Sequence, residues 1–208
     1  NFTGDKLWNS AKEAYAIGKQ LGDKVILLST STGGTVSLLL AAEYPEIAVQ
    51  IMMSPNIEIK DPNAWLLNDH WGLQIARLVK GEKYTYGGDT SAAFKKYWNY
   101  KYRLESVVEL EELLENTMKT STFKKVTQPT LLLYYFKDEE HQDPVVKVSA
   151  MQRMFGQLST PENKKRAIAV PNVGDHVMGS YIKSKDLKSV EDECEKFLKE
   201  VIGMKLKE

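Results

Sequence analysis

Apolar and polar positions follow two rhythms along this chain, separated by turn residues. Residues 5–21 place Leu7, Ala11, Ala14, Tyr15 and Leu21 on one face at helical spacing, with Gly22 set for a left-handed stop. The run Lys24-Val-Ile-Leu-Leu-Ser29 is too short for a helix and suits a strand buried on both faces. Thr32 to Glu43 is rich in leucine and alanine and reads as a helix, with Pro45 just beyond its end. Ile47 to Met53 is a second buried-type strand, closed by Ser54-Pro55.

The middle of the chain behaves differently. From about residue 56 to 126 there are several helical patterns and no buried-type strand. Val107, Leu110, Leu114 and Met118 form one helical stripe, and Gly81 and Gly87-Gly88 mark breaks. Aromatic residues collect here, among them Trp65, Trp71, Tyr84, Tyr86, Phe94, Tyr97, Trp98, Tyr100 and Tyr102.

Regular alternation then resumes. Residues 129–135 predict a strand, 145–155 a helix, 166–170 a strand and 186–202 a last helix. In that last helix Val190, Cys194, Phe197, Val201 and Ile202 face inward, and Gly203 stops it. Strands alternating with helices imply an α/β fold with a mostly parallel sheet flanked by helices. The sequence carries no internal repeat and no low-complexity segment.

Composition narrows the function classes. Lysine plus arginine equals aspartate plus glutamate at 28 each, so net charge gives no reason to expect nucleic acid as a partner. Apolar residues make up 42%, an ordinary globular share that argues against disorder. Cys194 is the only cysteine, so the chain has neither an internal disulfide nor a cysteine pair for zinc. No apolar run reaches the roughly 18–20 residues of a membrane span.

Chemistry enters where the first strand ends. Ser29-Thr-Ser31-Thr-Gly33-Gly34 joins that strand to the next helix, placing Ser31 at the apex of a sharp turn. Such a turn strains the apex backbone and pushes its hydroxyl into the open. Small residues are expected two positions either side, and Ser29 and Gly33 meet that demand, although the usual pattern has glycine at both. The backbone N–H of Thr32, at the helix start, is placed to stabilise an oxyanion. The plainer reading is a structural or anion-binding turn; a P-loop is excluded because no Gly-Lys-Ser/Thr ending follows.

A serine nucleophile needs a base, and three histidines are available. His176 follows the strand at 166–170, at the strand end where sites of parallel sheets collect. His70 lies in the aromatic middle and His141 in a charged loop. The base needs a carboxylate partner, and the acidic run after the strand at 129–135 supplies candidates. Asp143, just before a helix, fits best; Asp138, closer to the strand end, is the alternative.

The order nucleophile, acid, base, each after a strand, resembles the α/β-hydrolase superfamily. The resemblance rests on residues 29–34, Met52-Met-Ser-Pro-Asn56, Gln142-Asp-Pro-Val-Val146 and Gly174-Asp-His176. Within that superfamily the chain is most similar to serine hydrolases of the monoacylglycerol lipase, lysophospholipase and serine aminopeptidase type. The resemblance implies residues 1–55 and 127–208 as a partial hydrolase core and 56–126 as an inserted helical cap whose aromatics shape an acyl pocket. It also implies a Ser31–Asp143–His176 triad cleaving a small-molecule carboxylic ester through an acyl-enzyme, with no metal or organic cofactor. A serine peptidase of the same fold and a non-catalytic hydrolase-like binding protein are the competing readings.

Members of that family usually have about four strands before the helix that precedes the nucleophile strand, and a loop there supplies the second oxyanion N–H. None of those strands precedes residue 5 here, so the resemblance implies the C-terminal part of the fold. A four-stranded sheet leaves an edge open, expected to pair with another segment or another copy. The sequence leaves the compartment open: cytoplasmic, or exported to the periplasm if an upstream anchor has been removed.

Overall fold

A computed structural model describes residues 2–68, 71–81, 83–87, 89 and 91–205. Four strands form a fully parallel sheet: β1 (Ile26–Thr30), β2 (Val49–Met53), and, after a long excursion, β5 (Thr130–Tyr134) and β6 (Lys165–Ala169). Their spatial order is β1-β2-β5-β6, with Leu28 opposite Ile51, Ile51 opposite Leu131 and Leu131 opposite Arg166. Because all four run the same way, the segments that follow them emerge at one end of the sheet, where ligand sites of such folds lie.

Alternation along the central strands sorts the core into two faces. Met52 and Leu132 pack with Leu38 and Ala41 of α2 (Thr32–Glu43) and with Met151 and Met154 of α7 (Val148–Gly156). Ile51, Met53, Leu131 and Leu133 turn the other way, onto Val190 and Phe197 of α8 (Leu187–Glu200). Leu131, Leu132 and Leu133 are all fully buried, each stabilising the fold by about 1.5–3 kcal/mol relative to exposure. A third cluster joins Tyr15 of α1 (Gly4–Leu21) to Val36 and Leu40 of α2 and to Ile47. The Thr3 side chain caps α1, accepting from the Lys6 N–H, and Asp186 caps α8 by accepting from Ser189.

Several sequence expectations change. β1 is not buried on both faces: it is the sheet edge, and Leu28 is 64% exposed. Gly22 ends α1 in extended rather than left-handed backbone, and Leu21 projects into solvent. α7 begins at residue 148 rather than 145, because residues 145–147 pair with 58–60 instead: Lys60 N–H donates to Val145 O and Lys147 N–H to Glu58 O, both at 2.9 Å.

Between β2 and β5 lies an inserted, mainly helical region. It contains a short 3-10 turn (Ala64–Asn68), α3 (Gly72–Lys80), α4 (Ala92–Tyr97), α5 (Leu104–Thr117) and α6 (Thr120–Phe123). It also holds an antiparallel pair that periodicity did not reveal, β3 (Tyr84–Tyr86) with β4 (Lys101–Arg103), too short and too exposed to carry an apolar alternation. Leu114 of the expected stripe is buried in α5. Among the described residues, no helix is long and apolar enough to cross a membrane.

Candidate active site

Ser31 sits between β1 and α2 with φ 56° and ψ −125°, a conformation that L-residues avoid. Such strain costs about 1–3 kcal/mol and persists only where surroundings impose it. Here the Ser31 N–H donates to Met53 O at 3.2 Å. Its carbonyl accepts from Gly34 at 2.8 Å and Asn56 at 2.9 Å. The turn is therefore bolted to the end of β2. Gly34 makes this contact possible: a Cβ there would stand 2.4 Å from Pro55 Cβ and 2.8 Å from its Cα. The crowding expected between positions 29 and 33 is mild by comparison, since a Cβ at Gly33 would lie 3.6 Å from Ser29 Cβ, an ordinary contact. Serine at 29 is accommodated, its hydroxyl donating to Ile51 O at 3.3 Å. Thr32 opens α2, so its N–H lies in the first turn, where no intrahelical acceptor exists.

The acidic loop after β5 resolves which carboxylate faces which histidine. A bridge between Phe136 and Gln142 closes the loop, and Asp143 N–H returns to Tyr135 O at 3.0 Å. Asp138 lies at the exposed tip, where its Oδ1 accepts from the N–H groups of Glu140 and His141 and meets His141 Nδ1 at 2.7 Å. Asp143 is fully buried. Its Oδ1 accepts from Val145 and Val146 N–H at 2.9 and 3.1 Å, and both its oxygens meet His176 Nδ1, at 3.0 and 2.8 Å. Burial alone would raise its pKa; the His176 contact and the two backbone N–H groups outweigh that and hold the carboxyl below its ordinary value. The Lys60 ammonium donates to the Asp143 carbonyl at 2.7 Å, a contact no spacing in the sequence signals.

His176 is 6% exposed and follows β6. The loop beyond it crosses back toward β2: Ser54 Oγ meets Met178 Sδ at 3.8 Å, and a Cβ on Gly179 would touch Met53 Sδ. Met53 is the residue whose carbonyl holds Ser31. The loop after the far edge strand β6 is thus brought to the residue that anchors the apex of the turn at β1. With Nδ1 committed to Asp143, His176 Nε2 is buried and has no hydrogen-bond partner, Ser31 Oγ included. A buried unpaired ring nitrogen costs about 1–3 kcal/mol, and such exceptions call for a functional explanation.

Other candidates fall away from this constellation. His141 is paired with Asp138 in solvent, and His70 lies outside the described residues. Burial, with Glu193 and Glu191 nearby, pushes the Cys194 thiol up to about 11, which makes it a poor nucleophile. Among the described residues, no cluster of three or more His, Cys, Asp or Glu could hold a metal ion. The aromatics of the inserted region are divided: Phe94 is buried, whereas Trp65, Trp71, Tyr86 and Tyr97 stand largely in solvent.

No family profile and no curated protein matches the sequence. Solved structures do match its fold. A structure described as LipS and LipT, two metagenome-derived lipolytic enzymes, aligns with a TM-score of 0.74 at 13% identity, covering 95% of this chain and 74% of that one. A monoacylglycerol lipase from Paleococcus ferrophilus aligns at 0.68 and 14% identity, covering 95% and 75%. A putative non-heme bromoperoxidase, BpoC from Mycobacterium tuberculosis, aligns at 0.63 and 14% identity, covering 99% and 76%. The chain shares the fold of these structures, a parallel sheet flanked by helices with an inserted helical region. Its buried His176–Asp143 pair has the form of a catalytic dyad.

Proposed function

We propose that the protein is a serine hydrolase of carboxylic esters, with Ser31 as nucleophile, His176 as general base and Asp143 as its orienting acid. The observation that carries this reading is the buried Asp143–His176 pair with Nε2 left open, in a fold whose preceding strand turn strains Ser31. In the proposed cycle Ser31 Oγ bonds to the ester carbonyl carbon while its proton passes to His176 Nε2. The carbonyl oxygen becomes an oxyanion that the Thr32 N–H stabilises. Collapse breaks the bond to the alcohol, which leaves with the proton from His176. Water, deprotonated by the same imidazole, then releases the acid and restores Ser31. Asp143 keeps Nδ1 protonated throughout, so that Nε2 is the acceptor. This chemistry needs no metal or organic cofactor.

Residues 56–126 serve, in this reading, as a cap over a core made of 1–55 and 127–208. The substrate is a small-molecule ester with a small or medium acyl group, as for hydrolases of the monoacylglycerol lipase type. The outer edge of β1, with Leu28 exposed on it, pairs with another segment or another copy.

Intact mass after incubation with a fluorophosphonate tests the reading. A single adduct is expected on wild type and none on Ser31→Ala or His176→Ala. An adduct that survives Ser31→Ala would refute it.

A further inference from the structure

Outside the site, the chain concentrates one sign of charge and one kind of ring. Residues 80–103 hold six lysines or arginines against two acids, a surplus of four positive charges in a protein whose net charge is zero. Seven of these 24 residues are aromatic, six of them tyrosine or tryptophan. The fold gathers them into a continuous strip. Lys101 Nζ lies 4.1 Å from the Tyr84 ring centroid and 5.8 Å from that of Tyr86. The Tyr86 and Tyr100 centroids are 6.4 Å apart, and Lys95 Nζ lies 5.0 Å from Tyr100. On α4, Lys96 sits over Tyr97, Tyr97 meets Trp98 edge-on, and Trp98 stacks on Phe94.

Two features mark this strip. Its described lysines are free of ion pairs, whereas some cations elsewhere are paired, as where Glu58 holds Lys147 and Arg153 or Glu200 holds Arg166. Among the described residues, Lys83, Lys95, Lys96 and Lys101 have no carboxylate within ion-pair distance. Arg103, the one arginine of the strip, is committed to Glu105. The rings also face water: Tyr86 and Tyr97 are 51% and 56% exposed. Tyrosine and tryptophan beside lysine are the residues that settle at a membrane–water boundary, ring in the headgroup layer and ammonium toward lipid phosphate. Bidentate recognition of nucleic-acid bases and phosphates favours arginine, and the one arginine here is already paired.

We propose that this strip, on β3, β4 and α4, docks the protein on an anionic lipid bilayer surface. It is tied to the site. Asp89 and Lys183 form an ion pair, Lys183 also lies 4.9 Å from the Phe94 centroid, and the Tyr181 hydroxyl donates to that of Tyr97 at 3.4 Å. Residues 181–183 belong to the loop that begins just after His176. Docking therefore holds that loop, and the region of Ser31, next to the lipid surface.

Co-sedimentation with vesicles tests the proposal. Wild type is expected to bind phosphatidylcholine vesicles containing phosphatidylserine, to bind pure phosphatidylcholine poorly, and to be released by salt. The triple variant Lys95→Gln, Lys96→Gln, Lys101→Gln, checked for folding by circular dichroism, is expected to lose on the order of a hundredfold in partitioning, at roughly fivefold per lysine. No binding to the anionic vesicles, or equal binding by the triple variant, would overturn the proposal. So would tighter binding to a single-stranded oligonucleotide than to vesicles, which would reassign the surface to nucleic acid. Fluorophosphonate labelling of the same samples reads the hydrolase proposal separately, since docking does not require an active Ser31.

Discussion

Replacing Asp143 with asparagine probes the proposed mechanism with little change of shape. The native carboxylate accepts from Val145 and Val146 on Oδ1 and from His176 Nδ1 on both oxygens. Asparagine has one acceptor oxygen. If it stays on the two N–H groups, its amide nitrogen meets His176 as a donor. The ring must then accept at Nδ1 and carry its proton on Nε2, where no base remains for Ser31. If it flips, the Val145 and Val146 N–H groups lose their acceptor, the buried Val146 donor at about 1–3 kcal/mol, so the first arrangement wins. The expected loss in labelling rate, and in kcat/KM on an activated ester, is roughly ten-thousandfold, or about 5 kcal/mol of transition-state stabilisation. The fold should survive. Losing the charge-assisted bonds costs about 1.5–3 kcal/mol, lowering Tm by roughly 3–12 °C in a chain of this size. The stability gap also depends on pH. The folded Asp143 pKa lies below its unfolded value, so its contribution is complete above about pH 3.9 and is lost as pH falls through the lowered folded value. Urea unfolding of both proteins should therefore show the gap at pH 7 and its shrinkage below about pH 4. The mechanism fails if Asp143→Asn labels within tenfold of wild type, or if Asp138→Asn loses as much.

Two further outcomes follow from the geometry. Gly34→Ala is expected to destabilise by about 1–3 kcal/mol or more, because Pro55 blocks the new methyl, whereas Gly33→Ala meets only ordinary contacts and should be neutral or slightly stabilising. Equal melting temperatures for the two variants would refute this account of the turn. At the open edge, Leu28→Lys should change stability by under about 0.5 kcal/mol while weakening any concentration-dependent association seen by sedimentation. Undiminished association in that variant would remove β1 as the pairing surface.

Much of the architecture was legible in local pattern. The helix at 32–43, the buried strands β2 and β5 and the edge strand β6 show in runs of apolar residues whose lengths select helix or strand. Ser31, the acidic loop and His176 stood out because each follows such a strand. Local pattern reaches no further than about one element, because periodicity reports only which face of a helix or strand is apolar. It does not say what lies against that face. β1 read as a doubly buried strand, yet strand order left it at the edge with Leu28 in solvent. Asp138 and Asp143 were both plausible partners for His176; only the bridge closing residues 136–142 and the pairing of 145–147 with 58–60 turn one outward and bury the other. The need for glycine at 34 comes from Pro55, and the aromatic–cationic strip comes from a β3–β4 pairing that joins residues some 17 positions apart. These are contacts between segments distant in sequence. Their energy comes from packing and hydrogen bonds made only after the chain has closed on itself, so the tertiary structure alone decided them.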